Sequence, residues 1–529
     1  MASSEPELMQ KIVSLCKRRG FVFQSSEIYG GLRSAYDYGP MGIELKRNLM
    51  NEWWTTMVHS REDVYGLDAS IIMHPEVWRS SGHLANFTDP LVDCQVCQER
   101  FRADKAPRLA EGEDAPMTLS DKGRAKAGLI KLHEDGQEQV VRKGKQLLGA
   151  KAGARGYVCP NCGSPFLSEE RDFNGMFRTS LGPVDPMAAV IAAVRAGVEQ
   201  GEDSKAIRAA VDEALAESAV YLRPETAQGM FVQFLNIQQS MSAKVPFGVA
   251  QMGKSFRNEV TAEHFIFRSC EFEQMEMEWF CEPGTGGEWL DYWKDARMKW
   301  WRSIGLSADK LRFREHEHSE LAHYSDGTYD IDYEFPWGWD ELEGVASRTD
   351  YDLNAHAAGS GKKLVYTDPE KTNPETGKKG WRYVPHVVEP AAGATRGVLA
   401  VLCDAYTEDP GDAEGKGART VLRLHPRLAP VKVAVLPLVR KDGMPETARK
   451  IADAFFAEGI NAKLDMQHAI GRRYARHDEI GTPYCLTIDG DTASDNKVTI
   501  RYRDDRRQER IEVEAAVDVV RQALREGRE

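Results

Sequence analysis

The sequence predicts an α+β fold in which a large domain built on an antiparallel sheet, interrupted by inserts, precedes a smaller α/β domain. At 529 residues the chain is too long for one ordinary domain. Residues 253–280 alternate polar and apolar side chains, as two strands joined by a short loop would. After residue 429, strand-like and helix-like segments alternate, which indicates a mostly parallel sheet. We therefore expect one domain over 1–429 and another over 430–529.

Composition and charge narrow the class of protein. Hydrophobic residues make up 42% of the chain and charged residues 29%, as in soluble globular proteins. No long uncharged apolar run is present and the N-terminus does not resemble a signal peptide, so we expect no membrane partner and a cytoplasmic location. The formal charge of −13 argues against non-specific coating of nucleic acid. A nucleic-acid partner would need a locally basic surface.

Two helices are predicted near the N-terminus. The first covers residues 7–24. A glycine-rich turn then runs through Pro40, and a long amphipathic helix starts at Gly42 with apolar positions that include Leu45, Leu49 and Trp53.

The nine cysteines include two C-x-x-C pairs, Cys94 with Cys97 and Cys159 with Cys162. An odd total with paired spacing favours reduced thiols over a disulfide framework, and four thiolates suit a tetrahedral zinc ion. The segment between the pairs is long and charge-rich, so the alternative is that the pairs are unoccupied remnants. We predict three inserts, a cysteine module at 94–165, a helical insert at 185–219 and a surface hairpin at 357–382.

The stretch from Gly253 to Phe280 organises the rest of the large domain. If residues 255–260 form a strand, Arg257 and Glu259 project from one face. On the return strand the same alternation separates a polar set from an apolar set, the first being Arg268, Phe272, Gln274 and Glu276 and the second Met275, Met277 and Trp279. The simple alternative is an amphipathic hairpin with one solvated side.

Two further clusters of polar residues allow more than one interpretation. His316, His318 and His323 lie beside acidic residues, and a structural or substrate-orienting role is favoured over a metal hydrolase because no third ligand has a recognisable spacing. Arg472, Arg473 and Arg476 give the smaller domain local positive charge, which would serve phosphate contacts or simply form a solvated helix face.

The sequence FRNE at 256–259, followed by R-x-x-x-F at 268–272, resembles the second signature motif of class II aminoacyl-tRNA synthetases. The run FRSCEFEQMEMEWF at 267–280 narrows the resemblance to the homodimeric glycyl-tRNA synthetases. YDYGPMG at 36–42 and the helix after it resemble the first motif, which builds the dimer interface, and residues 385–406 resemble the third. The smaller domain resembles the anticodon-binding domain of this class.

This resemblance implies glycine, ATP with Mg²⁺, and tRNA(Gly) as ligands, and a homodimer. It implies that Arg257 contacts the α-phosphate, that Phe272 stacks on adenine, and that Arg348 and Arg396 reach the ATP phosphates. Arg257, Glu259 and Arg396 would be the catalytic set. The residues assigned to ATP are Arg257, Asn258, Glu259, Phe267, Arg268, Phe272, Glu341, Leu342, Arg348, Gly393 and Arg396.

The resemblance also assigns a glycine site and a tRNA surface. The glycine set is Arg102, Glu225, Phe272, Gln274, Glu276, Glu389, Ala391 and Gly393, and the tRNA set is Arg472, Arg473 and Arg476. Two positions depart from the family pattern. Ala391 stands where a serine is usual, which removes a hydroxyl from the glycine site, and Thr395 stands where a glycine is usual.

Two other functions share this fold or chemistry. The accessory subunit of mitochondrial DNA polymerase resembles the fold but is a binding module, and its kind would be expected to lose the ATP-binding charges that this chain retains. Adenylation of a small amino acid for a carrier protein is disfavoured by the intact terminal domain. Aminoacylation of tRNA with glycine is therefore the expected function.

Overall fold

The computed structural model describes residues 5–108, 130–132, 138–142, 145–146, 156–164, 166–183, 185–259, 264–317, 321, 325–374, 376–410 and 418–527. The chain forms two compact units. The first consists of Met1–Ile71, Glu225–Ser255 and His264–Glu529, and the second of Ile72–Pro224 and Phe256–Glu263. Residues 430–529 thus share a unit with most of the larger domain. The division at residue 429 stays a prediction from the sequence pattern.

The α-helices of the described residues are α1 (Glu5–Arg19), α2 (Pro40–Trp54), α3 (Pro75–Ser80), α4 (His83–Asn86), α5 (Pro186–Glu199), α6 (Ser204–Glu217), α7 (Ala227–Val232), α8 (Phe234–Ser240), α9 (Gly286–Ser303), α10 (Tyr351–Ser360), α11 (Ala394–Ala405), α12 (Met444–Ala457), α13 (Ile470–Glu479), α14 (Thr492–Asp495) and α15 (Ala516–Glu526). Within those residues, no helix is both long enough and apolar enough to cross a membrane.

The strands are β1 (Val22–Gln24), β2 (Tyr36–Tyr38), β3 (Val64–Gly66), β4 (Thr88–Asp93), β5 (Arg100–Arg102), β6 (Ile130–Leu132), β7 (Glu138–Arg142), β8 (Lys145–Gln146), β9 (Arg171–Asn174), β10 (Arg178–Ser180), β11 (Ala219–Tyr221), β12 (Phe247–Phe256), β13 (Glu271–Cys281), β14 (Leu311–Glu315), β15 (Gly327–Phe335), β16 (Gly338–Thr349), β17 (Tyr366–Thr372), β18 (Lys379–Tyr383), β19 (His386–Gly393), β20 (Tyr406–Asp409), β21 (Arg419–Leu422), β22 (Val433–Pro437), β23 (Ala462–Leu464), β24 (Tyr484–Ile488), β25 (Lys497–Tyr502) and β26 (Gln508–Glu512).

A seven-stranded sheet in the first unit has the order β14-β15-β16-β19-β13-β12-β3. The pairs from β14 to β13 are antiparallel, whereas β3 pairs parallel to β12. Met275, Met277 and Trp279 of β13 are completely buried in the main core, as the alternation predicts. The opposite face of β13 is not solvated, because Gln274, Glu276 and Glu278 are buried as well. This buried polar face overturns the alternative of a half-solvated hairpin.

The N-terminal helix is shorter than the predicted 7–24. It ends at Arg19, Gly20 adopts φ +74°, and residues 22–24 form β1 against β2. The second helix starts two residues earlier than predicted, because Pro40 occupies its first turn. Gly42 packs so tightly on the backbone of Phe21 that a Cβ atom would lie 1.8 Å from its carbonyl oxygen.

The terminal part carries a five-stranded sheet in the order β23-β22-β24-β25-β26. β22 is parallel to β23 and β24, but β24, β25 and β26 are consecutively antiparallel. The expectation of a mostly parallel sheet is therefore wrong. The last strands form a meander with short connections, which permits only antiparallel pairing.

The inserts differ in how far they match the expected limits. Residues 185–219 hold the helices α5 and α6, each with an aspartate cap, Asp185 and Asp203. The hairpin of β17 and β18 spans 366–383, while residues 357–360 complete α10 instead. Much of the segment between the two cysteine pairs lies outside the described residues.

Candidate active site

Buried carboxylates collect where β13 and β19 pair in the first unit. Glu276 lies opposite Ala391, and Gln274 lies opposite Gly393. One carboxylate oxygen from each of Glu276, Glu278 and Glu389 lies within 4.8 Å of the others, and all three side chains are buried. So many acidic groups in a water-poor site favour a cationic ligand and disfavour an anionic one.

Glu276 is held by the chain segment that begins α7. The backbone N–H of Thr226 donates to its carboxylate at 3.0 Å, and the Thr226 hydroxyl donates to the same oxygen. Burial, followed by repulsion from Glu389 and Glu225, raises the pKa of Glu276 to about 8. In the empty site this carboxyl is therefore mostly protonated at neutral pH.

Arg348 joins two of the buried acidic groups. Its Nη1 donates to Glu389 at 2.7 Å, while its Nε and Nη2 donate to the two carboxylate oxygens of Asp352 at 2.8 and 3.0 Å. The side chains of Arg348 and Asp352 are each 2% exposed. In this structure the guanidinium binds carboxylates inside the core, and the phosphate contact expected from the sequence stays a prediction.

Glu225 takes part in a second hydrogen-bond network beside the cluster. Gln228 Nε2 donates to Glu225 at 2.9 Å and to Asp352 at 3.1 Å. His356 Nε2 lies 2.7 Å from the Gln228 side-chain oxygen, which can only accept, so this ring nitrogen donates there. The network connects the start of α7 to α10 and fixes the position of Glu225.

Arg396 and its neighbours form a separate group at the start of α11. Its guanidinium carbon lies 4.4 Å from the ring centre of Phe267, and its Nη1 lies 3.1 Å from the Glu341 carboxylate. Gly393 caps α11, and Leu342 is buried in the main core. Arg268 and Phe272 are half-buried near the start of β13. A planar cation, a flat ring and a carboxylate suit a nucleotide with a divalent metal.

The remaining expected nucleotide residues lie in the second unit. β12 ends at Phe256, so Arg257, Asn258 and Glu259 follow the strand and the predicted strand over 255–260 is wrong. Arg257 Nε donates to the carbonyl oxygen of Pro224 at 3.1 Å, and its guanidinium carbon lies 5.5 Å from the Phe87 ring centre.

Arg102, expected to contact glycine, also belongs to the second unit. Its guanidinium binds Asp89 at 2.7 Å and makes two bonds to Asp104, at 3.1 and 2.8 Å. Its side chain is only 27% exposed. These contacts fix the arginine within its own unit.

The four paired cysteines come together in the second unit. The Sγ atoms of Cys94 and Cys162 lie 3.6 Å apart, and those of Cys97 and Cys159 lie 3.7 Å apart. Sulfur atoms bound tetrahedrally to zinc at about 2.3 Å stand about 3.8 Å from each other, so the four thiols have the spacing that the ion requires. All nine cysteines fall in described residues and all are free thiols.

Each C-x-x-C pair is followed by a turn of the same geometry. The N–H of Gln98 donates to the Cys94 carbonyl at 2.9 Å, and the N–H of Gly163 donates to the Cys159 carbonyl at 2.8 Å. Both residues have positive φ, 61° for Gln98 and 69° for Gly163. The repeated geometry argues for two halves of one metal site.

Comparisons with known proteins agree with this arrangement. Residues 211–407 match the family described as tRNA synthetase class II core domain (G, H, P, S and T), and residues 432–523 match the anticodon binding domain family. A prolyl-tRNA synthetase from Cryptosporidium parvum, solved with L-proline and AMP, superposes with a TM-score of 0.55 at 10% identity. That likeness covers 97% of this chain and 75% of the other, and it supports the fold alone.

Relatives that match nearly the whole chain identify its family more narrowly. A glycine–tRNA ligase of Streptomyces coelicolor is 47% identical over 95% of both chains, and one of Thermobifida fusca is 46% identical over 99% of both. A Treponema denticola glycine–tRNA ligase is 45% identical over 95% of this chain and 94% of its own. The chain belongs to the glycine–tRNA ligase family. The α+β class II fold expected from the sequence is thereby confirmed.

The tRNA surface expected for this glycine–tRNA ligase consists of Arg472, Arg473 and Arg476 on α13. Only Arg472 is fully exposed. Arg473 is 2% exposed, and its Nη1 donates to the carbonyl oxygens of Pro437 and Asp465 at 2.7 and 3.1 Å. Arg476 pairs with Asp465, whereas Arg472 is exposed. Arg473 is buried and holds its own domain together, and its contact with tRNA stays a prediction.

Some residues of the ligase site were missed or remain outside the structure. Glu278 was not expected at the site, although its spacing of two from Glu276 on the same strand was a usable signal. His316 lies 2.9 Å from Asp330 in the first unit, which fits a structural role. His318 and His323 lie outside the described residues.

Proposed function

We propose that this chain activates glycine with ATP and transfers it to the 3′ end of tRNA(Gly), using Glu225, Glu276 and Glu389 to receive the glycine ammonium group. The glycine carboxylate attacks the α-phosphate, forming glycyl-adenylate and releasing pyrophosphate. A hydroxyl of the tRNA terminal ribose then attacks the glycyl carbonyl and releases AMP. The buried acidic cluster at the β13–β19 pair is the observation that carries this proposal, because such a cluster favours a positively charged ligand.

No protein nucleophile is required, so the protein contributes position and charge. We assign the α-phosphate to Arg257 and a further phosphate contact to Arg268. Arg396 contacts the γ-phosphate, and Phe272 stacks on adenine. Glu341, already paired with Arg396, supplies a carboxylate oxygen for Mg²⁺, which neutralises phosphate charge when bound.

We propose that the site selects glycine by sterically excluding larger amino acids. Every competing amino acid is larger, and a crowded polar site rejects an added methyl group more strongly than an apolar one does. Ala391 lies directly opposite Glu276, so a serine there would place a hydroxyl beside this carboxylate. We propose that the carboxylates set the size limit and that Ala391→Ser strengthens glycine binding modestly without changing selectivity.

Three further assignments complete the proposal. The cysteine cluster holds one structural zinc ion through Cys94, Cys97, Cys159 and Cys162. The chain acts as a homodimer through the region of α2, in the cytoplasm. Of the predicted tRNA residues, we retain Arg472, which is exposed, as a contact for tRNA phosphate.

The deciding experiment is amino-acid-dependent exchange of labelled pyrophosphate into ATP, run with glycine, alanine and serine. Glycine alone should support rapid exchange, and Arg257→Ala should abolish it in a protein whose fold is unchanged. Comparable activation of alanine would refute the exclusion argument. Exchange that persists in the arginine variant would remove Arg257 from the catalytic set, while no exchange with any amino acid would favour a binding module.

A further inference from the structure

Glu278 is the most unusual acidic residue of the site. Its side chain is fully buried, and among the described residues neither carboxylate oxygen has a hydrogen-bond donor. The strand register explains its surroundings. Glu276 pairs with Ala391 and Trp279 pairs with Val388, which sets Glu278 across from Glu389. Two ionised carboxylates directly opposite each other on adjacent strands would repel.

The nearby donors are already used. Those of Thr226 serve Glu276, and those of Arg348 serve Asp352 and Glu389. An ionised carboxylate without a donor or a cation is too costly to keep in a buried site, so such a group binds a proton. Burial and the charge of Glu389 accordingly raise the pKa of Glu278 well above its ordinary value.

A neutral carboxylic acid has an O–H to donate, and the carboxylates of Glu276 and Glu389 are the acceptors within 4.8 Å. Glu276 already accepts two bonds from Thr226. Glu389 accepts one bond from Arg348, at 2.7 Å, which fixes only one of its oxygens. A second donor would prevent the carboxylate from rotating.

We infer that Glu278 is a protonated carboxylic acid that donates a hydrogen bond to Glu389 and thereby orients that carboxylate toward the glycine ammonium group. The inference rests on the proposed glycine site. Glu278 is a positioning residue, since it acts through Glu389. The charged and titratable groups around it are Glu276, Glu389 and Arg348, with Glu225 and Asp352 beyond them.

The test compares Glu278→Gln with Glu278→Met in pyrophosphate exchange on the full-length protein. Glutamine keeps a neutral donor of the same shape, whereas methionine fills the space without one. The glutamine variant should keep KM for glycine within about threefold of the parent. The methionine variant should raise it about 10- to 100-fold with kcat little changed, the range for losing one hydrogen bond to a charged group.

The outcomes separate the possible roles. If the ionised form mattered, glutamine would fail as badly as methionine, and if Glu278 only filled space, methionine would behave like the parent; either result overturns the inference. The infrared carbonyl band of a protonated carboxylic acid should be weaker in the glutamine variant than in the parent. An undiminished band overturns the inference even if the methionine variant does not fold.

Glu389→Gln separates this inference from the proposed function. If Glu389→Gln leaves KM for glycine unchanged, the glycine site is wrongly assigned and both ideas fail. If it raises KM while Glu278→Met does not, only the inference about Glu278 fails.

Discussion

Replacing Arg348 by methionine should strongly destabilise the catalytic part of the chain. The substitution removes three charge-assisted hydrogen bonds of 2.7 to 3.0 Å and leaves Asp352 and Glu389 without their cation. Breaking a buried ion pair from one side costs about 3–5 kcal/mol, because the remaining charge stays buried. We expect that loss at pH 7.5.

The loss should shrink as the pH falls. An orphaned carboxylate escapes its penalty by binding a proton, and each pH unit nearer to its unfolded-state pKa of about 4 lowers that cost by about 1.4 kcal/mol. Between pH 7.5 and 5.5 the difference from the parent should therefore decrease by about 2–3 kcal/mol. Arg348→Lys keeps a charge but not the paired bonds, so its destabilisation should be intermediate.

Urea unfolding followed by tryptophan fluorescence is the suitable assay. All 11 tryptophans precede residue 430, so the signal reports on the catalytic part and not on the terminal domain. Lys17→Met is the matched control, because Lys17 pairs with Glu27 on the surface of the part that carries the tryptophans and should contribute less than about 1 kcal/mol. A loss below 1 kcal/mol for Arg348→Met, or one that is the same at both pH values, would refute the reasoning.

Three further outcomes are expected. Because Glu276 has a raised pKa of about 8, it is protonated in the folded protein and ionised in the unfolded chain between about pH 4.5 and 8. Its contribution to stability should be lost as pH rises through that window, and glycine binding at pH 7 should release protons, measurable by calorimetry in two buffers. Cys159→Ser should abolish stoichiometric zinc in protein purified without chelator, and unchanged zinc content would count against the four-thiol site. Arg473→Ala should lower the thermal stability of the terminal domain, whereas Arg472→Ala should weaken tRNA binding and its salt dependence without lowering that stability; the reverse pattern would contradict the assignment.

Much of the fold and part of the site could be predicted from the sequence because they depend on local pattern. The period of two in β13 correctly separates Met275, Met277 and Trp279 from Glu276. The cysteine spacing likewise brings four thiols together. In both cases the relevant residues are neighbours along the chain or belong to a repeated short motif.

The contacts that the sequence did not indicate involve partners from elsewhere in the fold. Arg348 binds Asp352, because Thr349 has φ 55° and turns the chain so that α10 returns Asp352 to the guanidinium. On α13, the number of arginines in the sequence does not show which of them face the core and which face solvent. Arg473 and His477 are four residues apart and buried together, while Arg472 lies on the other side.

The crowding of acids at the β13–β19 pair has a consequence for protein engineering. A selection of random variants for heat resistance alone should enrich apolar or amide replacements at Glu276, because each removes the cost of keeping a buried acid beside Glu389 and Glu225 in the empty protein. Such variants would accumulate as durable but inactive proteins. Adding glycine to the selection should favour the parent glutamate instead, since bound glycine stabilises only a folded protein that keeps the carboxylates for its ammonium group.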